Sequence, residues 1–397
     1  MKHLIGQLKT ELSAELERIL SYWMQYGIDE TYGGFKGRVD HANHADMLAD
    51  KGSVLNSRIL WSFSAAYSIT GKQEYLHFAE KAYQYFIQHF IDKQYGGVYW
   101  TVDYKGNSSN PKKQIYAQAF AVYAFSEYYR ASNNDEAKQH AITLFKLIEK
   151  YSYDNLRTGY FDAFAEDWTA MDDIRLSEKD ANEKKTMNTH LHILEAYSTF
   201  YKIWPDKLLK ERIKGLLQNF ADYIIDKKSN HLILFFDENW QQKGDIVSYG
   251  HDIEAAWLLQ EAAESINDAD LIALTKKYAV YIANAAREGL DADGGLWYEY
   301  EPSQHHLVKE KHWWPQAEAI VGFFNAWEVS GEESFLNNAI NVWQFTQNYI
   351  CDYKTGEWVW GVYEDYSIMS DKDKLGLWKC PYHNSRACVE IMRRVEV

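Results

Sequence analysis

Residues 92–100 read DKQYGGVYW, an aspartate followed by two glycines and then by apolar and aromatic side chains. Asp and Gly favour a tight turn, and the residues after them favour a short strand. The same pattern recurs five more times, in copies that begin at Asp29, Asp154, Asp226, Asp291 and Asp352. Only the copy at Asp226 lacks glycine in its turn. Six copies of one turn indicate a protein built from repeats.

The spacing of the copies is nearly constant. Their central positions are 34, 97, 159, 232, 295 and 356, so the intervals are 63, 62, 73, 63 and 61 residues. Each interval has room for two helices, and apolar residues recur with a helical period over ten ranges. These ranges are 53–70, 73–91, 112–131, 134–151, 186–203, 206–227, 248–265, 268–288, 313–330 and 333–350. Further helices at 3–26 and 381–395 bring the predicted total to twelve.

Twelve helices arranged as six hairpins predict an all-α fold, an (α/α)6 barrel with short β-hairpins in the loops between helices. An open solenoid is the alternative, but a solenoid does not need six copies. Only five prolines occur in 397 residues, which agrees with long helices. Since no linker divides the chain, we expect one domain over residues 1–397.

Composition narrows the classes of partner. The formal net charge is −15, which argues against general binding to nucleic acid or to anionic membranes. No apolar run is long enough to span a bilayer, and the first twenty residues read as a charged amphipathic helix, not as a signal peptide. The three cysteines, Cys351, Cys380 and Cys388, form neither a disulfide framework nor a zinc motif. We expect a cytoplasmic protein that is a monomer or a weak homodimer.

Candidate functional residues collect near the start of the first helix of each repeat. Because equivalent positions of a closed ring face its centre, we expect them to share one pocket. A single buried histidine or tryptophan is more often a core residue, but the coincidence across six repeats favours a site. The residues are Arg58, Tyr116, Asn188 with His192, His251 with Glu254, Trp314 and His383.

Spacing along a helix predicts which histidines can face the pocket together. His190 and His192 point about 200° apart around their helix, so they cannot both face the pocket. His251 and Glu254 share a face, and the sequence predicts that this carboxylate fixes the tautomer of His251. Arg58 lies on an otherwise apolar helix and needs a polar partner there.

Two other features carry more than one interpretation. Trp314 and Trp378 can stack on sugar rings, although core packing is the ordinary role of tryptophan. The longest interval contains the polar segment 165–185, which is either a solvated loop or a lid over one mouth of the ring.

The sequence lacks the short motifs of other enzyme classes. It has no phosphate-binding GxxxxGK[ST] loop, no GxGxxG after a strand, no HExxH and no GxSxG. A glycoside hydrolase would need two opposed carboxylates, for which Glu254 and Asp180 are nominal candidates. The candidate pocket is dominated by histidine instead, which favours proton transfer near neutral pH.

At these residues the sequence resembles the N-acylglucosamine 2-epimerase superfamily, and within it most resembles the cellobiose 2-epimerases. The resemblance spans nearly the whole chain in the right order. It rests on NSRILWSFSAAY (56–67), KQIYAQAFAVYAFSEYY (113–129), KTMNTHLHILEAY (185–197), SYGHDIEAAWLLQEA (248–262), KHWWPQAEAIVGFFNAW (311–327) and WKCPYHNSRACVE (378–390).

The resemblance implies an (α/α)6 barrel and a reaction without cofactor or metal. It implies interconversion of glucose and mannose at C2 of the reducing-end residue of β-1,4-linked disaccharides, such as cellobiose and lactose. By matching position, His251 and His383 would be the acid/base pair, acting through an enediolate. The other implied site residues are His192, Arg58 and Asn188 around O1 and O2, Tyr116, Glu254 and Trp314 at the reducing-end sugar, Trp378 at the second sugar, and Asp180 in the long loop.

Several alternatives remain open from the sequence. Mannobiose could be the preferred disaccharide, and a monosaccharide 2-epimerase or an aldose–ketose isomerase would carry similar residues. A glycoside hydrolase on the same barrel or a non-enzymatic sugar-binding module is less consistent with the repeated histidines.

Overall fold

A computed structural model of the chain describes residues 2–395, and twelve α-helices account for most of these residues. All twelve predicted helices are confirmed, and two of them coincide with the predicted ranges 53–70 and 313–330. The helices are α1 Lys2–Tyr22, α2 Ser53–Thr70, α3 Gln73–His89, α4 Ile115–Ser132, α5 Asp135–Tyr151, α6 Met187–Tyr201, α7 Lys207–Asn219, α8 Tyr249–Ser265, α9 Ala269–Ala286, α10 Trp313–Ser330, α11 Glu333–Phe345 and α12 Tyr382–Arg394. Helices α7 and α11 end earlier than predicted because each continues as a short π-helix, at Phe220–Ile224 and Thr346–Ile350.

The even-numbered helices form a closed inner ring. Each of α2, α4, α6, α8 and α10 packs against the next, α10 packs against α12, and α12 packs against α2. The odd-numbered helices form an outer layer, in which α1 packs against α12 and completes the sixth hairpin. The inner helices are buried almost all round, whereas α3, α5, α7 and α11 are amphipathic and bury one face. The fold is therefore an (α/α)6 barrel, and the open solenoid is wrong.

Fourteen short strands occur within residues 2–395, all in the loops between helices. The pairs β3–β4, β6–β7, β8–β9, β10–β11 and β13–β14 are antiparallel, and each pair brackets one helical hairpin. The strands are β1 Arg38–Val39, β2 Ala45–Asp46, β3 Lys51–Gly52, β4 Thr101–Val102, β5 Ser108–Asn110, β6 Lys113–Gln114, β7 Ala163–Phe164, β8 Lys185–Thr186, β9 Phe235–Phe236, β10 Val247–Ser248, β11 Glu299–Glu301, β12 His306–Val308, β13 Lys311–His312 and β14 Gly361–Val362. The sequence predicted a strand directly after each turn, but most strands begin a few residues later. The residues directly after the turn instead form a single β-bridge across it, such as Ile91–Val98.

The repeated aspartate holds the turn together. Asp92 accepts hydrogen bonds at Oδ1 from the backbone N–H groups of Gln94 and Tyr95, at 2.8 and 3.1 Å. Its Oδ2 lies 2.5 Å from Nζ of Lys113 in β6, and both side chains are fully buried. Other repeats have the pairs Asp29–Lys51, Asp154–Lys185, Asp291–Lys311 and Asp352–Lys374. In most repeats the ion pair thus fixes the strand from which the next inner helix begins.

We expect Lys113→Met to lower the free energy of unfolding by about 3–5 kcal/mol, because it leaves the Asp92 carboxylate buried and uncompensated. Urea denaturation followed by circular dichroism measures this change. The matched control is Lys72→Met, which breaks an exposed pair with Glu17 and should have a much smaller effect. Equal effects of the two substitutions would show that the buried pair does not stabilise the turn.

Within residues 2–395, no helix combines the length and the apolar character needed to cross a bilayer.

Candidate active site

One cavity lies at the end of the barrel where the inner helices begin. The short strands β3, β6, β8, β10 and β13 come directly before five of the inner helices, and residues at the starts of all six inner helices line the cavity. All ten residues predicted from the sequence line this cavity: Arg58, Tyr116, Asp180, Asn188, His192, His251, Glu254, Trp314, Trp378 and His383. The expectation that equivalent positions share one pocket is therefore confirmed.

His383 is held from below by a carboxylate on another helix. Its Nδ1 lies 2.7 Å from Oε1 of Glu318 in α10 and 3.9 Å from Oε1 of Glu254 in α8. Burial, with the nearby guanidinium groups of Arg58 and Arg386, lowers the pKa of His383 well below its ordinary value. Since Nδ1 is occupied by the carboxylate contact, Nε2 is the atom available to a ligand.

His251 is held differently from the prediction. Its Nδ1 lies 2.8 Å from Oγ of Ser248, the residue just before α8. The predicted pairing of His251 with Glu254 is wrong, because Glu254 instead contacts Arg386 and lies near His383. Burial lowers the pKa of His251 to about 3, so this imidazole is neutral at physiological pH.

The ring of Trp314 contacts both imidazoles. Its centroid lies 4.7 Å from that of His251 and 5.7 Å from that of His383. The centroids of the two imidazoles are therefore no farther apart than the sum of these two distances, so both imidazoles lie beside the same indole ring. Two imidazoles on different walls of one cavity can address opposite faces of a bound sugar.

His192 and Arg58 form a third part of the wall. His192 Nδ1 lies 2.8 Å from Oε2 of Glu195, and burial lowers the pKa of this imidazole. Arg58 donates from Nη2 to the Tyr116 hydroxyl at 2.7 Å, and its guanidinium lies over the ring of Phe120 at 4.3 Å. The sequence required a polar partner for Arg58, and Tyr116 is that partner.

The long polar loop contributes to the mouth of the cavity. Residues 174–181 of this loop line it, apart from 178, and Lys179 donates a hydrogen bond to the Tyr298 hydroxyl on the opposite side. Asp180 accepts hydrogen bonds from the backbone N–H and the hydroxyl of Ser177 through Oδ2. Trp378 is half-buried at the rim, 5.8 Å from Trp100 between ring centroids. Because residues of segment 165–185 line the mouth of the cavity, the structure favours a lid over a solvated loop for this segment.

Glu254, Glu318 and His383 also resemble a cation site, since their potential ligand atoms lie within 4.8 Å of one another. However, Nη2 of Arg386 lies 2.6 Å from an oxygen of each carboxylate. The guanidinium thus already supplies a positive charge to this cluster, and the donor set does not fit an added cation.

Comparison with known proteins places this cavity in a family. The model of the N-acylglucosamine 2-epimerase (GlcNAc 2-epimerase) family matches residues 33–387. The chain belongs to this family. It is accordingly an isomerase of the epimerase class.

Several members of the family are similar over nearly the whole chain. A cellobiose 2-epimerase of Bacteroides fragilis is 47% identical and covers 97% of this chain and 98% of its own length. A cellobiose 2-epimerase of Ruminococcus albus is 40% identical over 98% of this chain and 99% of its own. The solved structure of cellobiose 2-epimerase from Bacillus thermoamylovorans has a TM-score of 0.93 and 40% identity, covering 98% of this chain and all of that one.

Three residues of the epimerase that organise the cavity were missed from the sequence. Glu195 and Glu318 hold His192 and His383, and Arg386 contacts both carboxylates. Glu195 is three residues after His192, so the same-face rule that was applied to His251 would have found it. Glu318 and Arg386 carried the signal used for Arg58, a charged residue within a buried helix.

Proposed function

We propose that this epimerase interconverts glucose and mannose at C2 of the reducing-end residue of a β-1,4-linked disaccharide, with cellobiose as the preferred test substrate. The relatives named above, which are called cellobiose 2-epimerases and match over nearly their full length, support the substrate class. The observation that carries the proposal is the pair of imidazoles, His251 and His383, that flank Trp314 in one cavity.

Ring opening of the sugar exposes an aldehyde at C1, which acidifies the proton on C2. One imidazole removes that proton to give an enediolate, and the other imidazole returns a proton to the opposite face. We assign the role of base to His251, whose imidazole is neutral and can therefore accept a proton. Reversal of these roles converts mannose to glucose, and delivery of the proton to C1 would give a ketose.

The second imidazole needs a proton to deliver. Burial and the neighbouring Glu318 raise the pKa of Glu254 above its ordinary value, which favours a proton on this group. Its Oε1 lies 3.9 Å from Nδ1 of His383. We assign one shared proton to Glu254, Glu318 and His383, from which His383 acts as the acid.

The remaining residues recognise the sugar. We assign Arg58, Asn188 and His192, which line the cavity, to O1 and O2 of the open chain, and Tyr116 and Trp314 to the reducing-end subsite. Buried polar atoms that have no partner within residues 2–395 are suited to sugar hydroxyls. They include Arg58 Nε, Asn188 Oδ1, Glu254 Oε2 and Trp313 Nε1. We assign Trp378 and Asp180, at the rim, to the second sugar.

The test is incubation of the purified chain with cellobiose in D2O. We expect glucosyl-mannose that carries deuterium at C2 of the mannose unit, measured by chromatography and NMR. Release of glucose would indicate a hydrolase. Turnover of free glucose or N-acetylmannosamine in preference to cellobiose would indicate a monosaccharide enzyme. Product that retains C2 protium throughout would contradict a mechanism in which the bases exchange with solvent.

We infer a cytoplasmic location as well. The cysteines Cys351, Cys380 and Cys388 are all free, which supports a reducing compartment.

A further inference from the structure

Beneath the cavity, one guanidinium joins three inner helices. Arg386 in α12 donates from Nη1 to Oε1 of Glu195 in α6. From Nη2 it donates to Oε1 of Glu254 in α8 and to Oε1 of Glu318 in α10, both at 2.6 Å. Arg386 is only 1% exposed and does not line the cavity, so it cannot touch a bound sugar.

The side chains around Arg386 leave it little freedom. Its guanidinium lies 4.9 Å from the ring centroid of Trp257 and 4.4 Å from that of Tyr382. Trp257 also donates from Nε1 to Oε2 of Glu318 at 3.2 Å, and Tyr382 donates to Glu195. The same two aromatic residues thus contact both the guanidinium and two of the three carboxylates that it binds, Glu195 and Glu318.

Two of the three carboxylates hold imidazoles of the site. Glu195 presents one oxygen to Arg386 and the other, Oε2, to His192 at 2.8 Å. Glu318 presents Oε1 to both Arg386 and His383. A displacement of Arg386 would therefore move both imidazoles, although they lie on different helices.

We propose that Arg386 is a positioning residue for the epimerisation, which couples His192 and His383 through Glu195 and Glu318 and fixes how many protons this cluster holds. This inference rests on the proposed function, because that function supplies the reaction. The contacts of Arg386 do not depend on it. An ion pair that only stabilises the fold need not lie near the reacting imidazoles. In contrast, each of the three carboxylates bound to Arg386 lies within 4 Å of His192 or His383.

The titratable and charged groups that face His383 come from five of the six inner helices. They are Arg58 from α2, His192 and Glu195 from α6, His251 and Glu254 from α8, Glu318 from α10 and Arg386 from α12. The cation of Arg386 lowers the pKa of His383, His192 and Glu254. Removal of this charge therefore raises the pH at which each group loses its proton.

The test compares Arg386→Lys, Arg386→Met and the control Arg393→Met. Arg393 lies on the same helix but pairs with Glu127 and Glu390, outside the cluster. Arg386→Lys keeps the positive charge but cannot donate from two separate nitrogens to three carboxylates. For this variant we expect kcat for cellobiose to fall about 10–100-fold with a much smaller change in KM. For Arg386→Met, both limbs of the pH profile of kcat/KM should move to higher pH. The control should match the unmodified chain in both respects.

A folded Arg386→Lys variant with kcat within about twofold of the unmodified chain would overturn the inference. So would an Arg386→Met profile that is lower at every pH but not displaced. If Arg386→Met does not fold, Glu195→Gln tests the His192 arm with the opposite sign. It removes the anion that favours protonated His192, so the limb of the pH profile set by His192 should move to lower pH, and an undisplaced profile would overturn the inference.

Long-range proton–nitrogen NMR of the imidazoles separates this inference from the proposed function. The spectra report the tautomer and the pKa of His192 and His383 without any substrate. Altered values in Arg386→Lys or Arg386→Met support the positioning role even if cellobiose is not the substrate. Unaltered values overturn it even if cellobiose is epimerised.

Discussion

His383→Ala should reduce kcat for the epimerisation of cellobiose by about 10²–10⁴-fold, the usual contribution of a positioned acid or base. The substitution removes the imidazole that Glu318 holds, so the proton shared with Glu254 and Glu318 can no longer reach C2 through His383. His251→Ala should have an effect of similar size, because the opposite face of C2 then loses its base. Initial rates with cellobiose, measured by chromatography of glucosyl-mannose, give both values.

Exchange with solvent makes the prediction sharper. If each imidazole serves one face of C2, a variant that keeps one imidazole can still remove and replace the proton of one epimer. We therefore expect His383→Ala and His251→Ala to retain slow deuterium exchange at C2, each in a different epimer. Exchange of the same epimer by both variants would contradict the assignment of the two histidines to opposite faces.

The control for both variants is His190→Ala. His190 is fully buried, does not line the cavity and contacts backbone atoms through both nitrogens, at Thr186 O (2.7 Å) and Tyr160 N (2.9 Å). Its loss should lower the free energy of unfolding by about 1–3 kcal/mol, because buried backbone groups lose their partner. The folded fraction should keep its kcat. A rate for His383→Ala within about tenfold of that of His190→Ala would show that His383 is not the acid or base.

The barrel was predictable because its signal repeats. The Asp-Gly motif recurs six times at nearly equal spacing, so it predicts six helical hairpins. The residues at the start of each inner helix then predict which side chains face the centre of the barrel. This reasoning placed Arg58 and His383 in one cavity although they lie at opposite ends of the chain. The limits of the single domain, residues 1–397, stay a prediction.

The contacts of the imidazoles were less predictable, because they depend on which helices meet. Spacing along one helix pointed to Glu254 as the partner of His251, yet the structure gives that place to Ser248. The partner of His383 is Glu318, which lies 65 residues away in the sequence on the neighbouring helix. Helical periodicity tells which face a residue lies on, but it does not tell which helix packs against that face.

The fourth repeat shows a compensated departure from the pattern. Val247 takes the position that lysine has in other repeats, so Asp226 lacks that partner. The turn is held instead by His231, whose Nδ1 lies 2.7 Å from Oδ2 of Asp252 at the start of α8. The sequence showed the missing glycine, but only the fold shows how α8, which carries His251, is tied to its turn.

Arg58→Met should lower kcat/KM for cellobiose by about 10²–10³-fold, with most of the loss in kcat. The enediolate carries negative charge at O1 that the closed sugar does not have, and Arg58 is the cation on that wall of the cavity. Arg58 is only 3% exposed, and its Nε has no partner within residues 2–395. A charge fixed in a buried site stabilises the intermediate more strongly than it stabilises neutral cellobiose.

Tyr116→Phe is the matched variant. It removes the hydroxyl that accepts a hydrogen bond from Arg58 Nη2 at 2.7 Å but leaves the charge and the aromatic wall in place. We expect kcat/KM for cellobiose to fall only about tenfold, because the guanidinium still packs over the ring of Phe120. If Arg58→Met instead raised KM and left kcat unchanged, Arg58 would bind the substrate and the intermediate equally. The charge at O1 would then have to be stabilised by His192 and Asn188, which would shift the oxyanion site from α2 to α6.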